Sequence, residues 1–398
     1  MSTEGRSAEA ASATNALESA GFVRLLTRAD GDALAASGLI ASALADSETP
    51  FQVTVEPTVG ARSDRVNTPT SEDAVTVVVG TVDPAPDAAD IVSLETADRP
   101  ATLEAVDLAR DLGATPDPVV ALAGIVASGG DPGAGESEWL LETARDRGLL
   151  ERRPGVAIPT DDPVDGLAHS TRVHAPWSGD RDATREALAD VVDGDPADFD
   201  ADDHRAIGSL VALDVVGADG AADAAAATIG RALRPYATPE APFETLGGFA
   251  DVLAATASTD PGTGVALAMG HDVRERALAA WREYGRRAHA ALKNGSTGRY
   301  DGLFVISIDD GPVDAVARLG VAYRSPEPAV FAVKDGEAAI ATHDADHLGA
   351  TLEAVARDLA EQAPEADIDY GGGRRRGSLR FDPDVDETTI IAAVRDLL

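Results

Sequence analysis

Apolar residues in the first third of the chain form short strand-like runs separated by helix-like segments. The strand-like runs are Phe22–Leu26, Phe51–Val55, Asp73–Val79 and Asp90–Leu94, and the helix-like segments are Asp32–Asp46 and Thr102–Leu112. Strands that alternate with helices favour a parallel, doubly wound α/β sheet. We therefore predict, over residues 21–135, a parallel sheet with helices on both faces, preceded by a flexible lead-in or short helix at residues 1–20.

The middle and the end of the chain have different patterns. Residues 136–293 are rich in Ala, Arg and Glu, which favour helices, and are predicted to form a mostly helical connector. The stretch from Asn294 to Gly298 has the composition of a linker. Beyond it, strand-like segments at Leu303–Ile308, Ala329–Val333 and Ser378–Phe381 alternate with helix-like segments at His347–Ala360 and Glu387–Leu397. We predict a smaller C-terminal α/β domain over residues 294–398.

The charge of the chain indicates its environment. The formal net charge is −36, and Lys293 and Lys334 are the only lysines among 33 basic residues. An acidic, Lys-poor surface favours a halophilic protein, because in molar salt the Debye length is only about 3 Å and self-repulsion is screened. The alternative is an acidic protein that avoids nucleic acid or binds basic partners. In the halophilic interpretation a local Arg patch, rather than net charge, decides whether nucleic acid binds.

Several classes of protein and site are excluded by composition. The chain has no cysteine, which excludes disulfides, zinc–thiolate sites and Cys nucleophiles. No apolar run reaches the roughly 18–20 residues that a membrane span requires. The N-terminal residues lack a basic region followed by an apolar one, so we expect no signal peptide and a cytoplasmic location.

Two aspartates, Asp30 and Asp32, follow the first predicted strand and precede a helix of small residues. The carboxyl ends of parallel strands are where open α/β sheets bind ligands. Two carboxylates on a tight turn suit Mg²⁺ or Mn²⁺. The alternative for an Asp-Gly-Asp segment in this position is a turn with a helix N-cap.

The segment Leu25–Gly38 resembles the first motif of the DHH phosphoesterase superfamily, and the order of the later segments resembles that of archaeal RecJ-like proteins. The family's second motif ends in Asp, where this chain has Gly80, with Asp83 three residues later. The third motif is Asp-His-His followed by Pro, where this chain has Glu95-Thr96-Ala97-Asp98-Arg99-Pro100. An Asn-Ala-Cys-Gly-Arg motif is replaced by Ala-Ala-Thr-Ala-Ser at residues 254–258.

The resemblance implies a DHH-type N-terminal domain and a DHH-associated C-terminal domain. Most of the metal ligands of the N-terminal domain are lost. Family nucleases use two divalent metals held by Asp and His ligands. Asp30 and Asp32 remain, and Asp83 and Asp98 are further candidate ligands, so at most one weak Mg²⁺ or Mn²⁺ site is expected.

The function implied by the resemblance is that of a pseudo-enzyme which binds single-stranded DNA or RNA. It would act in DNA replication or repair with GINS and MCM, as the related cofactor of the replicative helicase does. The alternative is an active metal-dependent single-strand exonuclease or phosphodiesterase that uses Asp30 and Asp32 with substitute ligands. A third hypothesis is a structural scaffold without nucleic-acid contact.

The densest basic run in the chain favours nucleic-acid binding over the scaffold. It replaces the Gly-Gly-His segment of the DHH-associated domain, and its candidate nucleic-acid-binding residues are Gly371, Gly372, Gly373, Arg374, Arg375 and Arg376. Guanidinium groups bind phosphates well, and glycine permits close approach of the backbone. The alternative is a solvated loop that balances an acidic surface.

Histidines offer weaker candidates. His343 and His347 have the i, i+4 spacing of two ligands on a helix, but a third ligand is not evident. His169 and His174 lack a nearby acid or serine at the spacing of a catalytic triad and are predicted to be structural or inter-domain residues.

Overall fold

The computed structural model describes residues 3–85, 91–94, 99–343 and 348–398 of the chain. The helices of these residues are α1 (Thr3–Ser19), α2 (Gly31–Asp46), α3 (Val59–Val66), α4 (Ala101–Asp111), α5 (Pro118–Ala127), α6 (Glu138–Asp146), α7 (Pro163–His169), α8 (Arg181–Ala189), α9 (Ala201–Val216), α10 (Ala225–Ala232), α11 (Leu246–Thr259), α12 (Pro261–Ala268), α13 (Arg274–Asn294), α14 (Val313–Tyr323), α15 (Leu348–Gln362) and α16 (Glu387–Leu397). The strands are β1 (Phe22–Thr27), β2 (Phe51–Val55), β3 (Ala74–Val79), β4 (Ile91–Ser93), β5 (Glu151–Arg152), β6 (Tyr236–Ala237), β7 (Ser296–Tyr300), β8 (Leu303–Ser307), β9 (Ala329–Lys334), β10 (Glu337–Thr342), β11 (Ile368–Gly372) and β12 (Arg376–Phe381).

Two compact units make up the chain. The first unit contains residues 1–150, 238–242 and 252–277, and the second contains residues 151–237, 243–251 and 278–398. The boundaries predicted from the sequence at residues 135 and 293 stay predictions. Among the described residues, no helix is both long enough and apolar enough to span a bilayer.

The first unit contains the predicted parallel sheet. In the described residues it has four strands in the order β2-β1-β3-β4, and every neighbouring pair is parallel. Val23 and Leu25 of β1 pack with α1, α2 and α4, whereas Leu26 packs on the opposite face with Val66 of α3. Helices therefore cover both faces, as the alternation of strands and helices predicts. The predicted α/β fold class is confirmed.

A mixed sheet forms the C-terminal part of the second unit. Its described strands lie in the order β11-β12-β10-β9-β8-β7; β8 and β9 are parallel and the other neighbouring pairs are antiparallel. Phe331 of β9, Leu352 of α15 and Ile390 of α16 belong to its core. The predicted strands and helices of this region are confirmed to within a few residues.

The linker predicted from Asn294 to Gly298 is wrong, because strand β7 begins at Ser296 and pairs with β8. Most residues of β7 are exposed, since it lies at the edge of the sheet. A short polar edge strand lacks the apolar alternation that distinguishes a strand from a loop.

Candidate functional site

The parallel sheet brings the ends of three strands to one edge. Thr27, the last residue of β1, is the register partner of both Val55 and Val79, which end β2 and β3. The chain continues from these positions into Arg28, Glu56 and Gly80. The backbone N–H of Arg28 donates to the Val79 carbonyl at 3.0 Å, and that of Glu56 donates to the Thr27 carbonyl at 2.9 Å. The structure therefore places Asp30, Asp32 and Gly80 at the strand ends where the sequence predicts a ligand site.

Asp30 is the N-cap of α2. Its Oδ1 accepts a hydrogen bond from the backbone N–H of Ala33 at 2.9 Å, and its backbone is extended. Its side chain is 43% exposed, and its Oδ2 accepts from Nε of Arg28. The N-cap considered as the alternative to a metal ligand is thus present.

Asp32 is buried and linked to the start of α4. Its Oδ2 accepts from the backbone N–H of Ala101 at 2.9 Å, and its Oδ1 accepts from the backbone N–H and Oγ1 of Thr102 at 2.9 and 2.6 Å. Burial raises the pKa of Asp32, and Arg28 and the hydrogen bonds from Thr102 oppose that shift. A carboxylate at a helix N-terminus also interacts favourably with the helix dipole. Asp32 therefore fixes the approach of α4 to α2.

Arg28 joins the two aspartates. Its Nε donates to Asp30, and its Nη2 donates to Oδ2 of Asp32 at 3.1 Å. Its side chain is only 20% exposed. The guanidinium thus supplies positive charge where a divalent metal would have to sit between the two carboxylates. Guanidinium forms strong charge-assisted hydrogen bonds with carboxylates. Arg28 therefore takes the place that a metal cation would have between the two carboxylates.

A second arginine packs beside Gly80, where the resemblance places the Asp of the second DHH motif. Arg62 of α3 is 1% exposed, and it donates to the carbonyls of Thr81 at 3.1 Å and Glu56 at 2.9 Å. A Cβ on Gly80 would lie 3.4 Å from both Cβ of Arg28 and Nε of Arg62. Gly80 also has a φ of +130°, which L side chains rarely adopt. A carboxylate-bearing residue is therefore disfavoured at this position.

The residues at this edge do not fit a two-metal centre. Within the described ranges, no group of three or more His, Asp or Glu side chains is arranged to hold a metal ion. Asp83 is exposed, and its backbone N–H donates to Oγ of Ser63. Asp98, the remaining candidate ligand, lies outside the described residues, as does His347. Both carboxylate oxygens of Asp32 already accept hydrogen bonds, from Arg28 and from the first residues of α4.

The Arg run of the C-terminal domain forms an ordered turn between β11 and β12. The backbone N–H of Gly373 donates to the Arg376 carbonyl at 2.9 Å. Two N–H groups at the start of α15, those of Leu348 and Gly349, donate to the carbonyls of Arg374 and Gly373 at 3.2 and 2.9 Å. Residues 373–376 are exposed. The turn is thus fixed to a helix N-terminus and presents its three arginines at the surface.

Close backbone packing accounts for the glycines that flank this turn. A Cβ on Gly372 would lie 3.3 Å from Cα of both Gly349 and Gly377. A Cβ on Gly377 would lie 2.1 Å from Cδ1 of Leu352. The same construction on Gly373 finds no heavy atom within 4 Å. Gly372 and Gly377 therefore have a packing role, and Gly373 leaves open space beside the arginines.

The histidines considered from the sequence have structural contacts. Nδ1 of His169 lies 2.9 Å from the Asp165 carbonyl, and Nε2 of His343 lies 2.9 Å from the Val321 carbonyl. His174 stacks on His289 with ring centroids 5.3 Å apart.

Arg28 and Arg62 are the residues of the sheet-edge site that sequence reasoning missed. Arg28 lies inside the motif around Asp30, but its spacing does not reveal which way its side chain turns. The glycine at position 80, where the resemblance places a carboxylate, was the available signal that another group occupies this space.

A family model matches the C-terminal part of the chain, and a relative matches all of it. The family described as "Uncharacterized protein rrnAC1427, C-terminal domain" matches residues 295–396. The protein rrnAC1427 of Haloarcula marismortui is 43% identical over 404 residues, which is 100% of both chains.

Solved structures are similar at much lower sequence identity. The crystal structure of CDC45 from Entamoeba histolytica has a TM-score of 0.58 and 9% identity, over 97% of each chain. The structure of RecJ from Thermus thermophilus in complex with Mn²⁺ has a TM-score of 0.44 and 16% identity, over 98% of this chain and 54% of that one. At such identities the likeness concerns the fold. The chain belongs to the family of rrnAC1427, and its fold is similar to that of CDC45.

Proposed function

We propose that the protein is a RecJ-like, single-stranded nucleic-acid-binding factor with little or no nuclease activity that serves DNA replication or repair. The observation that carries this proposal is the guanidinium of Arg28, which is bonded to both Asp30 and Asp32. GINS and MCM are the partners that the family resemblance implies.

The chemistry of guanidinium supports a loss of catalysis. Metal-dependent hydrolysis of a phosphodiester needs a bound metal to polarise the phosphoryl oxygen and to lower the pKa of an attacking water. Arginine remains protonated and has no vacant coordination position, so it stabilises negative charge without generating hydroxide. Arg28 therefore balances the negative charge of Asp30 and Asp32 without the capacity to form the nucleophile.

The turn at residues 373–376 supports nucleic-acid contact. Its arginines are exposed on a backbone held by β11, β12 and α15, so their Cα positions are ordered before a strand binds. Contacts from such side chains to phosphates position a nucleic acid without reading its bases. We expect binding of single strands of any base sequence.

A nuclease assay tests the catalytic part of the proposal. End-labelled single-stranded DNA is incubated with the full chain in 2 M KCl and Mn²⁺ or Mg²⁺, beside the Asp30→Ala variant. We expect no processive degradation by either protein. Robust degradation by the wild type that is lost in Asp30→Ala would instead establish the metal-dependent exonuclease.

A binding assay tests the nucleic-acid part. Fluorescence anisotropy with a labelled oligonucleotide compares the wild type with the Arg374→Ala/Arg375→Ala/Arg376→Ala variant over a salt series. Each lost phosphate contact should lower the slope of log affinity against log salt by about 0.7 for a single strand. The matched control is Arg185→Ala/Arg205→Ala, which removes exposed arginines paired within helices α8 and α9. Equal affinities and slopes in all three proteins would favour the hypothesis of a structural scaffold. A GINS pull-down in the same buffer tests the implied partner.

A further inference from the structure

Within the described residues, the second unit contains a buried guanidinium nitrogen that has no hydrogen-bond partner. The Nε of Arg172 is buried and has no hydrogen-bond partner within the described part of the chain. Arg172 follows Ser170 and Thr171, in the segment after α7. Its Nε lies 3.4 Å from where a Cβ on Gly247 would be, so the guanidinium rests against the first turn of α11.

Two further arginines lie near Arg172. Nη2 of Arg318, in α14, lies 3.5 Å from Oγ1 of Thr171, the neighbour of Arg172 in the chain. Burial is the largest cause that lowers the pKa of Arg172; the charges of Asp251 and Tyr323 oppose this shift, and those of Arg318 and of Arg231 in α10 add to it. We name Arg172, Arg231 and Arg318 the Arg172 cluster. Arg231 is exposed and the other two are partly buried, so the cluster extends to the surface of the unit.

Two carboxylates lie near the Arg172 cluster. Tyr284, Asp314 and Asp251 raise the pKa of Arg318 against the effect of burial. Both carboxylates also accept hydrogen bonds from other residues. Asp251 accepts hydrogen bonds from Ser170, Thr171 and Trp281. Asp314 accepts from the hydroxyl of Tyr284. Among the described residues, neither Arg172 nor Arg318 forms an ion pair with a carboxylate, and Arg318 has only long contacts, of 3.3 and 3.5 Å, to two hydroxyls.

This imbalance is unusual for the composition of the chain. The chain has 69 acidic residues for 33 Lys and Arg, so carboxylate partners are abundant. A buried charge without a partner is costly, and buried charges in folded proteins are normally paired. The two carboxylates partly balance Arg172 and Arg318, and the third guanidinium leaves an excess of positive charge. The dipole at the start of α11 adds to it, because a helix N-terminus favours an anion.

We propose that the Arg172 cluster and the first turn of α11 bind an oxyanion of the phosphate class. Arg172 contacts the anion through its buried Nε, and Arg231 and Arg318 balance the remaining charge. The anion is either free phosphate or a phosphate group of a nucleic-acid strand. The inference does not depend on the proposed function, because free phosphate alone would complete the site.

Inorganic phosphate is the probe that tests the site. Isothermal titration of the full chain in 1 M KCl should give one saturable site, at least tenfold weaker in Arg172→Gln. The matched control is Arg153→Gln in the same unit, because Arg153 is also partly buried but is paired with Glu244 at 3.4 Å. The phosphate affinity of this variant should equal that of the wild type. Arg318→Gln is a second variant, and circular dichroism verifies that each protein is folded. Absence of a saturable site in the wild type would overturn the proposal. So would folded Arg172→Gln and Arg318→Gln proteins that bind phosphate as tightly as the wild type does.

A labelled single strand distinguishes the two sources of phosphate. If a strand supplies the anion, Arg172→Gln should weaken oligonucleotide binding and phosphate should compete with the strand. If free phosphate is the ligand, Arg172→Gln should lose phosphate binding while its oligonucleotide affinity is unchanged. Phosphate binding without any oligonucleotide binding supports the Arg172 cluster and contradicts the proposed function.

Discussion

Replacement of Asp32 by Asn distinguishes a structural aspartate from a metal ligand. Asn keeps the shape of the side chain but replaces one carboxylate oxygen by a donor NH₂ group. Whichever way the amide turns, the NH₂ faces donors, either Ala101 and Arg28 or the two donors of Thr102. The substitution also removes the negative charge opposite the guanidinium of Arg28. We therefore expect Asp32→Asn to destabilise the first unit.

The contacts that Asp32 makes indicate the size of this effect. Removal of one partner of a buried ion pair costs about 3–5 kcal/mol, and hydrogen bonds to charged groups contribute roughly 1.5–3 kcal/mol each. We expect a loss of about 3–5 kcal/mol, a large fraction of the roughly 5–15 kcal/mol that stabilises a typical folded protein. Asp30→Asn is the matched control, because Asn is as good an N-cap as Asp and the side chain is 43% exposed. Its effect should be under about 1 kcal/mol.

Urea unfolding, followed by circular dichroism in 2 M KCl with EDTA, measures both variants against the wild type. A shift in the midpoint at constant slope reports the change in stability. Carboxylates that are held ready for a metal repel one another when the metal is removed. An Asp32→Asn protein that is as stable as the wild type, or more stable, would therefore refute the structural role and support the metal-ligand role.

Three further predictions concern stability. Burial is the largest cause that lowers the pKa of His289 to about 4 and that of His174 to about 3. Stability should therefore be complete above pH 6.5 and fall, by about 3 kcal/mol for each of the two histidines, as the pH drops towards 4. Urea titrations across this range should show a smaller loss in His174→Gln, which keeps only one of the two groups. In α12, Gly264→Ala should lower the stability by about 1–3 kcal/mol, because the new Cβ would lie 2.4 Å from Cδ1 of Leu34. Gly262→Ala should raise the stability by roughly 0.5–1 kcal/mol, because its Cβ would have no heavy atom within 4 Å. Equal melting temperatures of the two variants would contradict this prediction. The melting temperature should be higher in 2 M KCl than in 0.1 M KCl if the acidic surface is adapted to molar salt, and an unchanged or lower value argues against that adaptation.

Periodicity in the sequence was sufficient to predict the central elements of the fold. Strands β1, β2 and β3 and helices α2 and α4 were predicted to within one residue at every end, because apolar residues recur along them at the spacing of a strand or a helix. Elements without that pattern were missed. Strand β7 is short and exposed, and its composition resembles that of a linker.

The sequence by itself determined the positions of Asp30 and Asp32 at the end of a strand, and it left two roles for them. Only the tertiary structure decided what surrounds these carboxylates. The donors from Ala101 and Thr102 are 69 and 70 residues away from Asp32, and Arg62 reaches the sheet edge from a helix that was not predicted. Local pattern encodes which residues are buried, but partners distant in the chain meet only when the parallel strands bring their ends to one edge and the helices pack against them.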